Sequence, residues 1–243
     1  MRLSPVLVLA ATLAFAPVHA TDLTITFNTT VKGTASTEVH YFSSAFNFVR
    51  NEKAQRDTLV DFRQGVTYLI DHKKKLVQKI SFDDAMAAME GMQKKMPEGL
   101  SAMMGAIMGD PNDVKVSQQG TETVAGRTCQ VWLVHVGKLD TTLSVDPTLK
   151  IPIPDVDYAR MLKTQAAQFA KAGPAGATWK RYFEEVSKIK GIHLKTRMTG
   201  FMGMDTLTEA TRIEAGPIPA STFALPAGYA TEDLGRKIRD QAK

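Results

Sequence analysis

The sequence predicts a β-rich protein of the α+β class, in which helices cover an antiparallel sheet. Apolar and polar residues alternate from Asp22 to Val31, which is the pattern of a strand with one buried face. At Phe82 the spacing of apolar residues changes to three and four, the pattern of an amphipathic helix. Strand patterns then resume, give way to helical ones near residue 155, and resume again at Ile192. These changes of period predict the order strands, helices, strands, helices, strands.

The strand patterns before residue 81 follow one another over short turns, so they predict a series of antiparallel hairpins. The predicted strands of this part are 23–31, 38–42, 46–50, 58–62, 66–70 and 76–80. Those of the later part are 114–123, 128–136, 141–145, 192–199 and 207–215. Both faces of the 128–136 strand are apolar, which predicts that other elements cover it on both sides.

Capping and breaking residues indicate where the predicted helices begin and end. Ser81 or Asp83 can accept hydrogen bonds from the first turn of a helix, and Pro97 interrupts that helix. Thr178 can cap the second helix of the later pair. The polar segment 231–243 is predicted as a C-terminal helix. Because Pro97 interrupts it, the helical stretch 82–108 is predicted as a bent helix or a helical hairpin.

The first twenty residues have the features of a secretory signal. Arg2 precedes an apolar run from Val6 to Ala16, and a small residue, Ala20, stands before the first polar segment. The apolar run is shorter than the roughly 20 residues that a membrane-spanning helix needs. We predict that residues 1–20 are a signal peptide and that the mature protein is soluble and periplasmic.

The remaining 243 − 20 = 223 residues are a size typical of one domain with a large core. We predict a single domain at 21–243, with helical insertions at about 82–108 and 155–190. Cys129 is the only cysteine, so no intrachain disulfide can form. Because Cys129 lies in an apolar strand pattern, we expect a buried and unreactive thiol.

The charge of the chain excludes one class of partner. The formal net charge is +5, and loss of Arg2 with the signal leaves +4. The basic residues lie in short scattered runs, which are typical of turns and solvated helix faces. A nucleic-acid groove needs a basic stripe with interleaved aromatic residues, and the sequence has none. Weak contact with an anionic membrane surface remains compatible with this charge.

The sequence contains no pattern that is typical of a catalytic or cofactor site. Metalloprotease, nucleophile-elbow, phosphate-loop and dinucleotide motifs do not occur in it. The histidines after residue 20 stand singly, without the spacing of metal ligands; they are His40, His72, His135 and His193. We therefore predict that the protein is not an enzyme and needs no cofactor.

The stretch from Phe82 to Met108 contains seven of the twelve methionines in the chain. Burying one methionine side chain is worth about 1.5–3 kcal/mol, so these side chains are expected to face apolar surroundings. Thioether side chains adapt to irregular apolar shapes, and surfaces that bind variable hydrophobic partners are rich in them. The functional question is whether these methionines face only the protein's own core.

In one interpretation the helices cover a curved sheet and line an apolar cavity, which binds a lipid, an acyl chain or another hydrophobic molecule. Its walls would be the methionine face, two phenylalanines of an early strand and the apolar side of the 192–202 segment. The predicted cavity residues are Phe46, Phe48, Met86, Met89, Met92, Met96, Leu100, Met103, Met104, Ile107, Met198 and Met202.

Two alternatives remain open. Thioether sulfurs select Cu(I), so the chain would be a copper-binding protein with a ladder of sulfur ligands. The ladder would consist of Met86, Met89, Met92 and Met96, but no histidine or cysteine lies near it. In the other alternative the methionines only fill the core, and the protein is a structural or interaction domain without a small ligand. A cavity beneath the helices would favour the lipid interpretation.

Four stretches, in this order and spacing, resemble an uncharacterised family of bacterial exported domains, a domain of unknown function. They are TYLIDHKKKLVQKI (67–80), GTETVAGRTCQVWLV (120–134), IKGIHLKTRM (189–198) and FALPAGY (223–229). The sequence departs from the family pattern at Ile192-His193, where the family has proline, and in the expanded methionine stretch.

That family is similar in architecture to the periplasmic lipoprotein carriers of the LolA/LolB type and to lipid-binding lipoproteins of mycobacteria. The resemblance implies a strongly curved antiparallel β half-barrel, with helices over its concave face and an apolar cavity between them. We therefore expect a periplasmic binding protein for a hydrophobic ligand, which could carry that ligand between membranes.

Overall fold

The structure is a computed structural model that describes residues 21–85, 87, 97–154, 156, 176–201 and 204–241. Its main feature is one sheet of twelve strands. The strands are β1 (Leu23–Val31), β2 (Thr34–Phe42), β3 (Phe46–Asn51), β4 (Arg56–Asp61), β5 (Val66–Asp71), β6 (Leu76–Ser81), β7 (Lys115–Val124), β8 (Arg127–Val136), β9 (Leu139–Asp146), β10 (Ile192–Phe201), β11 (Met204–Ala215) and β12 (Ala230–Asp233). The helices with described bounds are α1 (Glu98–Met108), α2 (Gly176–Val186) and α3 (Leu234–Gln241).

The strand order is β12-β6-β5-β4-β3-β2-β1-β11-β10-β9-β8-β7, so the first strand of the chain lies in the middle of the sheet. All described neighbours are antiparallel except β12, which runs parallel to β6. Bulges interrupt the β1–β11, β9–β10 and β7–β8 pairings, and bulges bend a sheet and increase its twist. The curved, open sheet fits the half-barrel description. The predicted α+β class is corrected to mainly β, because the described helices are few beside twelve strands.

One face of the sheet carries helices α1 and α2, and we call it the helix face. One residue from each of five neighbouring strands forms a row across the sheet. The side chains of this row lie on the helix face, because directly paired residues in a ladder point to the same face. The row consists of Trp132, Leu143, Thr196, Thr208 and Thr29. Leu143 belongs to the apolar cluster against which Trp179 and Tyr182 of α2 pack. The row therefore connects the part under the helices with the middle of the sheet.

The opposite face is covered by the C-terminal segment along β3 to β6. Tyr41, Phe48 and Leu59 face one another across β2, β3 and β4. They lie on the other side from the helix face, since successive residues of a strand point to opposite faces. Phe223 and Tyr229 pack against this cluster. The half-barrel thus has two separate apolar layers, one under the helices and one under the C-terminal segment.

Most of the predicted strands are confirmed, with ends that differ by a few residues. The Ser81 cap is confirmed as well, because the Asp84 backbone N–H donates to the Ser81 hydroxyl at 3.0 Å. Strand β8 lies between β7 and β9, with Cys129 in one buried cluster and Val134 in another, so both of its faces are covered as predicted. Burial raises the pKa of the Cys129 thiol, in agreement with an unreactive cysteine.

Two predicted helix starts are wrong. Helix α2 begins at Gly176, so Thr178 lies inside it, and its hydroxyl donates to the carbonyl oxygen of Gly109 instead of capping the helix. The segment predicted as the helix 231–243 begins with strand β12, and α3 starts only at Leu234. The signal peptide and the first helix of the later pair lie outside the described residues. None of the described helices combines the length and apolarity that a membrane span requires.

Asp146, at the end of β9, organises the polar connection that follows it. Its carboxylate is almost fully buried and accepts hydrogen bonds from the Arg127 guanidinium and from the backbone N–H groups of Thr148 and Leu149. Burial acts to raise the pKa of Asp146, but the Arg127 and Thr148 hydrogen bonds outweigh it and hold that pKa below its ordinary value of 3.8.

This shift predicts a pH dependence of stability. A carboxylate whose folded pKa is lowered stabilises the fold above the unfolded pKa, and the stabilisation is lost as pH falls through the folded value. The free energy of unfolding is measured by urea denaturation near neutral pH and again below pH 3.8. We expect it to fall less between the two pH values for Asp146→Asn than for the wild type. An equal loss in both proteins would contradict this assignment.

Candidate ligand-binding site

Helices α1 and α2 cover the part of the helix face formed by β8, β9 and β10. Met108 at the end of α1 is fully buried against Val134, Leu143 and their neighbours. Trp179 and Tyr182 of α2 pack on the same cluster. An amphipathic helix delivers such residues at spacings of three and four, so one turn of α2 supplies both aromatic contacts. These contacts fix a helical layer over three strands.

The C-terminal end of α1 is locked onto the β8–β9 turn. The Lys138 backbone N–H donates to the Ile107 carbonyl oxygen at 2.9 Å. Gly137 in this turn has φ +58 and lies so close to α1 that an added Cβ would overlap backbone atoms of Ile107 and Met108. The Thr178 hydroxyl donates to the Gly109 carbonyl oxygen at 2.9 Å, which ties α2 to the same point. Both helices are therefore anchored at one end.

The described part of the helical layer is closely packed. The void beneath it measures only about 10 Å³, which is at the lower limit of the space that one water molecule needs. It is lined by Met108, Val136, Leu139, Thr141, Trp179, Tyr182 and Met198. Burial raises the pKa of Tyr182, an effect that a hydrogen bond with Thr141 partly offsets. The described part of the helical layer therefore lacks the cavity that would favour the lipid interpretation. An acyl chain could enter here only if side chains such as Met108 and Met198 moved, and methionine side chains are adaptable.

A larger cleft of about 190 Å³ lies beside this layer on the same face, over β10, β11, β1 and β2. Phe27 and Leu194 are buried, and they form its apolar floor. Its polar lining consists of Thr29, Thr196, Thr208, Glu38, His40, His193 and Lys195. The cleft is amphiphilic, because apolar and hydrogen-bonding groups share one opening.

The void and the cleft lie next to each other along β10. Thr196 lines the cleft and Met198 lines the void, and the two residues are consecutive positions on the helix face. Residues two apart in a strand are separated by roughly 7 Å. A ligand that extends over this distance from the cleft would therefore touch the edge of the helical layer at Met198.

The charged groups of the cleft are already paired. His40 Nε2 lies 3.5 Å from the Glu38 carboxylate, and the Asn51 amide donates to the same carboxylate at 2.9 Å. The His40 and Asn51 hydrogen bonds lower the pKa of Glu38 against the opposing effect of burial. Burial lowers the pKa of His193, which therefore stays neutral at neutral pH. The Thr29 and Thr208 hydroxyls are 3.0 Å apart.

Among the predicted cavity residues, the structure brings Ile107 and Met198 together at the helical layer. Met103 lies on α1 and is 37% exposed to solvent. Phe46 and Phe48 do not join them. They belong to the cluster on the opposite face, where Phe46 stacks on a ring of the C-terminal segment at 5.2 Å. Of the predicted residues, those of β10 and of α1 lie at the candidate site, and those of β3 do not.

The remaining predicted residues fall in two groups. Leu100 and Met104 lie within α1, and the structure describes only their backbone. Five methionines lie outside the described residues: Met86, Met89, Met92, Met96 and Met202. All four predicted copper ligands belong to the second group, so the Cu(I) interpretation stays a prediction. Within the described ranges, no cluster of three or more histidine, cysteine or carboxylate side chains could hold a metal ion.

Sequence reasoning missed the polar half of the site. The threonine row and His40 cannot be recognised as a site from the sequence, because each residue stands alone there and only the strand pairing brings them together. Met108 belongs to the methionine stretch but is not among the predicted cavity residues. Its position directly before the helix-ending Gly109 was the available signal, since a helix end held against the sheet buries its last apolar residue.

The sequence profile of one family, described as a domain of unknown function (DUF4412), matches residues 61–229. Among curated proteins, no sequence matches this chain. The solved structures described next resemble it at low identity. PNGF-II is 12% identical with a TM-score of 0.43, over 91% of this chain and 32% of that one.

A chain of the Pseudomonas aeruginosa MucA/MucB complex is 13% identical with a TM-score of 0.43, over 86% of this chain and 57% of that one. An uncharacterised conserved protein of Thermus thermophilus is 7% identical with a TM-score of 0.48, over 88% and 91% of the two chains. This chain thus spans about a third of PNGF-II and somewhat more than half of the chain from the complex.

Proposed function

Since the chain belongs to the DUF4412 family of domains of unknown function, we propose its role from the geometry of the helix face. The protein is a non-enzymatic binding protein for an amphiphilic ligand with a hydrocarbon chain, such as a lipid or a fatty acyl compound. It acts after export, as a soluble periplasmic protein whose residues 1–20 are removed, and it can carry the ligand between membranes.

The observation that carries this proposal is that an amphiphilic cleft and an adaptable apolar layer are adjacent along β10. Thr196 and Met198 mark the two sides of that boundary. A hydrocarbon chain gains about 0.8 kcal/mol for each CH₂ group that it buries, so insertion at Met198 is favourable once the helical layer adapts. Polar atoms of the ligand would remain in the cleft, where hydroxyl and imidazole groups can bind them.

The first test is to find a ligand. We expect native mass spectrometry of protein purified under mild conditions to show a bound species, and organic extraction to release a lipid or acyl compound from it. A fluorescent fatty-acyl probe should bind the delipidated protein saturably. An empty protein that also fails to bind the probe would contradict the proposal and favour a structural or interaction domain.

A variant that fills the cleft tests its location. Thr208→Trp places a large ring among Thr29, Thr196 and Phe27, so we expect the affinity for the fluorescent acyl probe to fall by about tenfold or more. Thr123→Trp is the matched control, because Thr123 is exposed on edge strand β7 away from the cleft. Equal affinities of the two variants, with thermal unfolding showing both folded, would place the ligand elsewhere.

A further inference from the structure

The polar side of the cleft is a row of hydroxyl groups. Thr196, Thr208 and Thr29 stand opposite one another on β10, β11 and β1. The Thr29 and Thr208 hydroxyls are hydrogen-bonded to each other at 3.0 Å, and Thr196 lies on the next strand, about 4.8 Å from Thr208. Each hydroxyl can donate one hydrogen bond and accept others. Such a row suits a ligand that itself carries several hydroxyl or ester groups.

The cleft offers no free positive charge among the described residues. Lys195 also lines the cleft, but its ammonium is engaged by the Glu122 carboxylate at 3.0 Å. His40 is held by Glu38. Glu38 itself is ionised at neutral pH and faces the cleft. An anionic head group would therefore meet a negative carboxylate without an unpaired cation to compensate it.

A buried donor at the other end of the row also lacks a partner. The indole N–H of Trp132 is buried, and no acceptor for it occurs in the described part of the chain. A buried unsatisfied donor is costly, and tryptophan N–H groups usually find an acceptor. Trp132 faces Leu143, which in turn faces Thr196. A carbonyl oxygen of a ligand lying along the row would approach this N–H.

From these three observations we infer that the ligand has an uncharged, hydroxyl-bearing head group joined to its chain through an ester, as in a monoacylglycerol, and that the cleft discriminates against free carboxylates and phosphates. The inference rests on the proposed function, because it names the ligand class of the same site. The threonine row binds the hydroxyls, Glu38 excludes anions, and the hydrocarbon chain extends past Met198.

The experiment compares a monoacylglycerol with the free fatty acid of the same chain length, at a pH where the acid is ionised. Both compete with the fluorescent acyl probe for the delipidated protein. We expect the monoacylglycerol to bind about tenfold more tightly. Thr196→Val removes one hydroxyl at nearly constant volume and should weaken monoacylglycerol binding by about three- to tenfold. Thr123→Val, on the exposed edge strand, should leave it unchanged.

Glu38→Gln provides a test that does not depend on loss of function. Removing the negative charge should strengthen fatty-acid binding by about five- to tenfold while monoacylglycerol binding changes little. Fatty acid that binds the wild type as tightly as the monoacylglycerol, with no gain in Glu38→Gln, would overturn the head-group inference and leave the proposed function standing. Failure of both compounds and of the probe to bind would overturn the proposed function itself.

Discussion

Gly137→Ala is expected to destabilise the protein by at least about 3 kcal/mol, because the substitution combines two costs. An alanine at φ +58 pays roughly 1–2 kcal/mol for a left-handed backbone. Its Cβ would also overlap backbone atoms of Ile107 and Met108, which cannot move without lifting α1 from the β8–β9 turn. Urea unfolding measured by circular dichroism gives the free energy of unfolding directly.

Gly126→Ala is the matched control for this prediction. Gly126 also has a positive φ, +76, in a hairpin turn, but a Cβ there would meet no atom within 4 Å. Only the backbone cost of about 1–2 kcal/mol should remain. Similar destabilisation by the two substitutions would mean that the close approach of α1 to Gly137 does not exist, and the anchoring of the helical layer would have to be abandoned.

The second large effect is expected at Asp57, which anchors the C-terminal segment to the sheet. His72 Nε2 lies 2.9 Å from the buried Asp57 carboxylate, and His72 Nδ1 lies 3.0 Å from the Tyr229 hydroxyl. The Asn51 backbone N–H also donates to Asp57 at 3.1 Å. Asp57→Ala leaves these partners unsatisfied, so we expect a loss of about 2–4 kcal/mol in the free energy of unfolding.

Two further variants, which remove weaker interactions, should have smaller effects on the free energy of unfolding. Tyr229→Phe removes only the outer hydrogen bond to His72 and should cost about 1 kcal/mol. Asp140→Ala breaks a histidine–aspartate pair with His135 that is exposed to solvent, and should cost about 0.5 kcal/mol or less. If Asp57→Ala proves as mild as Asp140→Ala, the network does not hold the C-terminal segment in place.

The strands could be predicted because period two is visible in the sequence itself. Leu23, Ile25 and Phe27 alternate with polar residues, and the structure buries all three. Strand β12 was missed because its four residues, ATED, have no strand pattern of their own. Its pairing with β6 follows the anchoring of Tyr229, which is a tertiary contact that local propensity does not report.

The candidate site could be predicted only in part, because a period-two pattern tells which residues share a face but not which layer covers that face. Phe46 and Phe48 share a face, as expected, but Phe223 and Tyr229 cover it instead of the helices. The same ambiguity hid the threonine row, since Thr196 and Thr208 become neighbours only when β10 and β11 pair. Met198 was predicted because strand alternation and apolar character agree at that position.

Photo-crosslinking with a monoacylglycerol that carries a diazirine in its acyl chain tests the central claim most directly. We predict that irradiation of the complex, followed by digestion and mass spectrometry, labels peptides of β10 around Met198 and of α2 around Trp179, and that excess unlabelled monoacylglycerol suppresses this labelling. Label confined to β3 and β4 on the opposite face, or label that excess ligand does not suppress, would contradict ligand binding at the helix face.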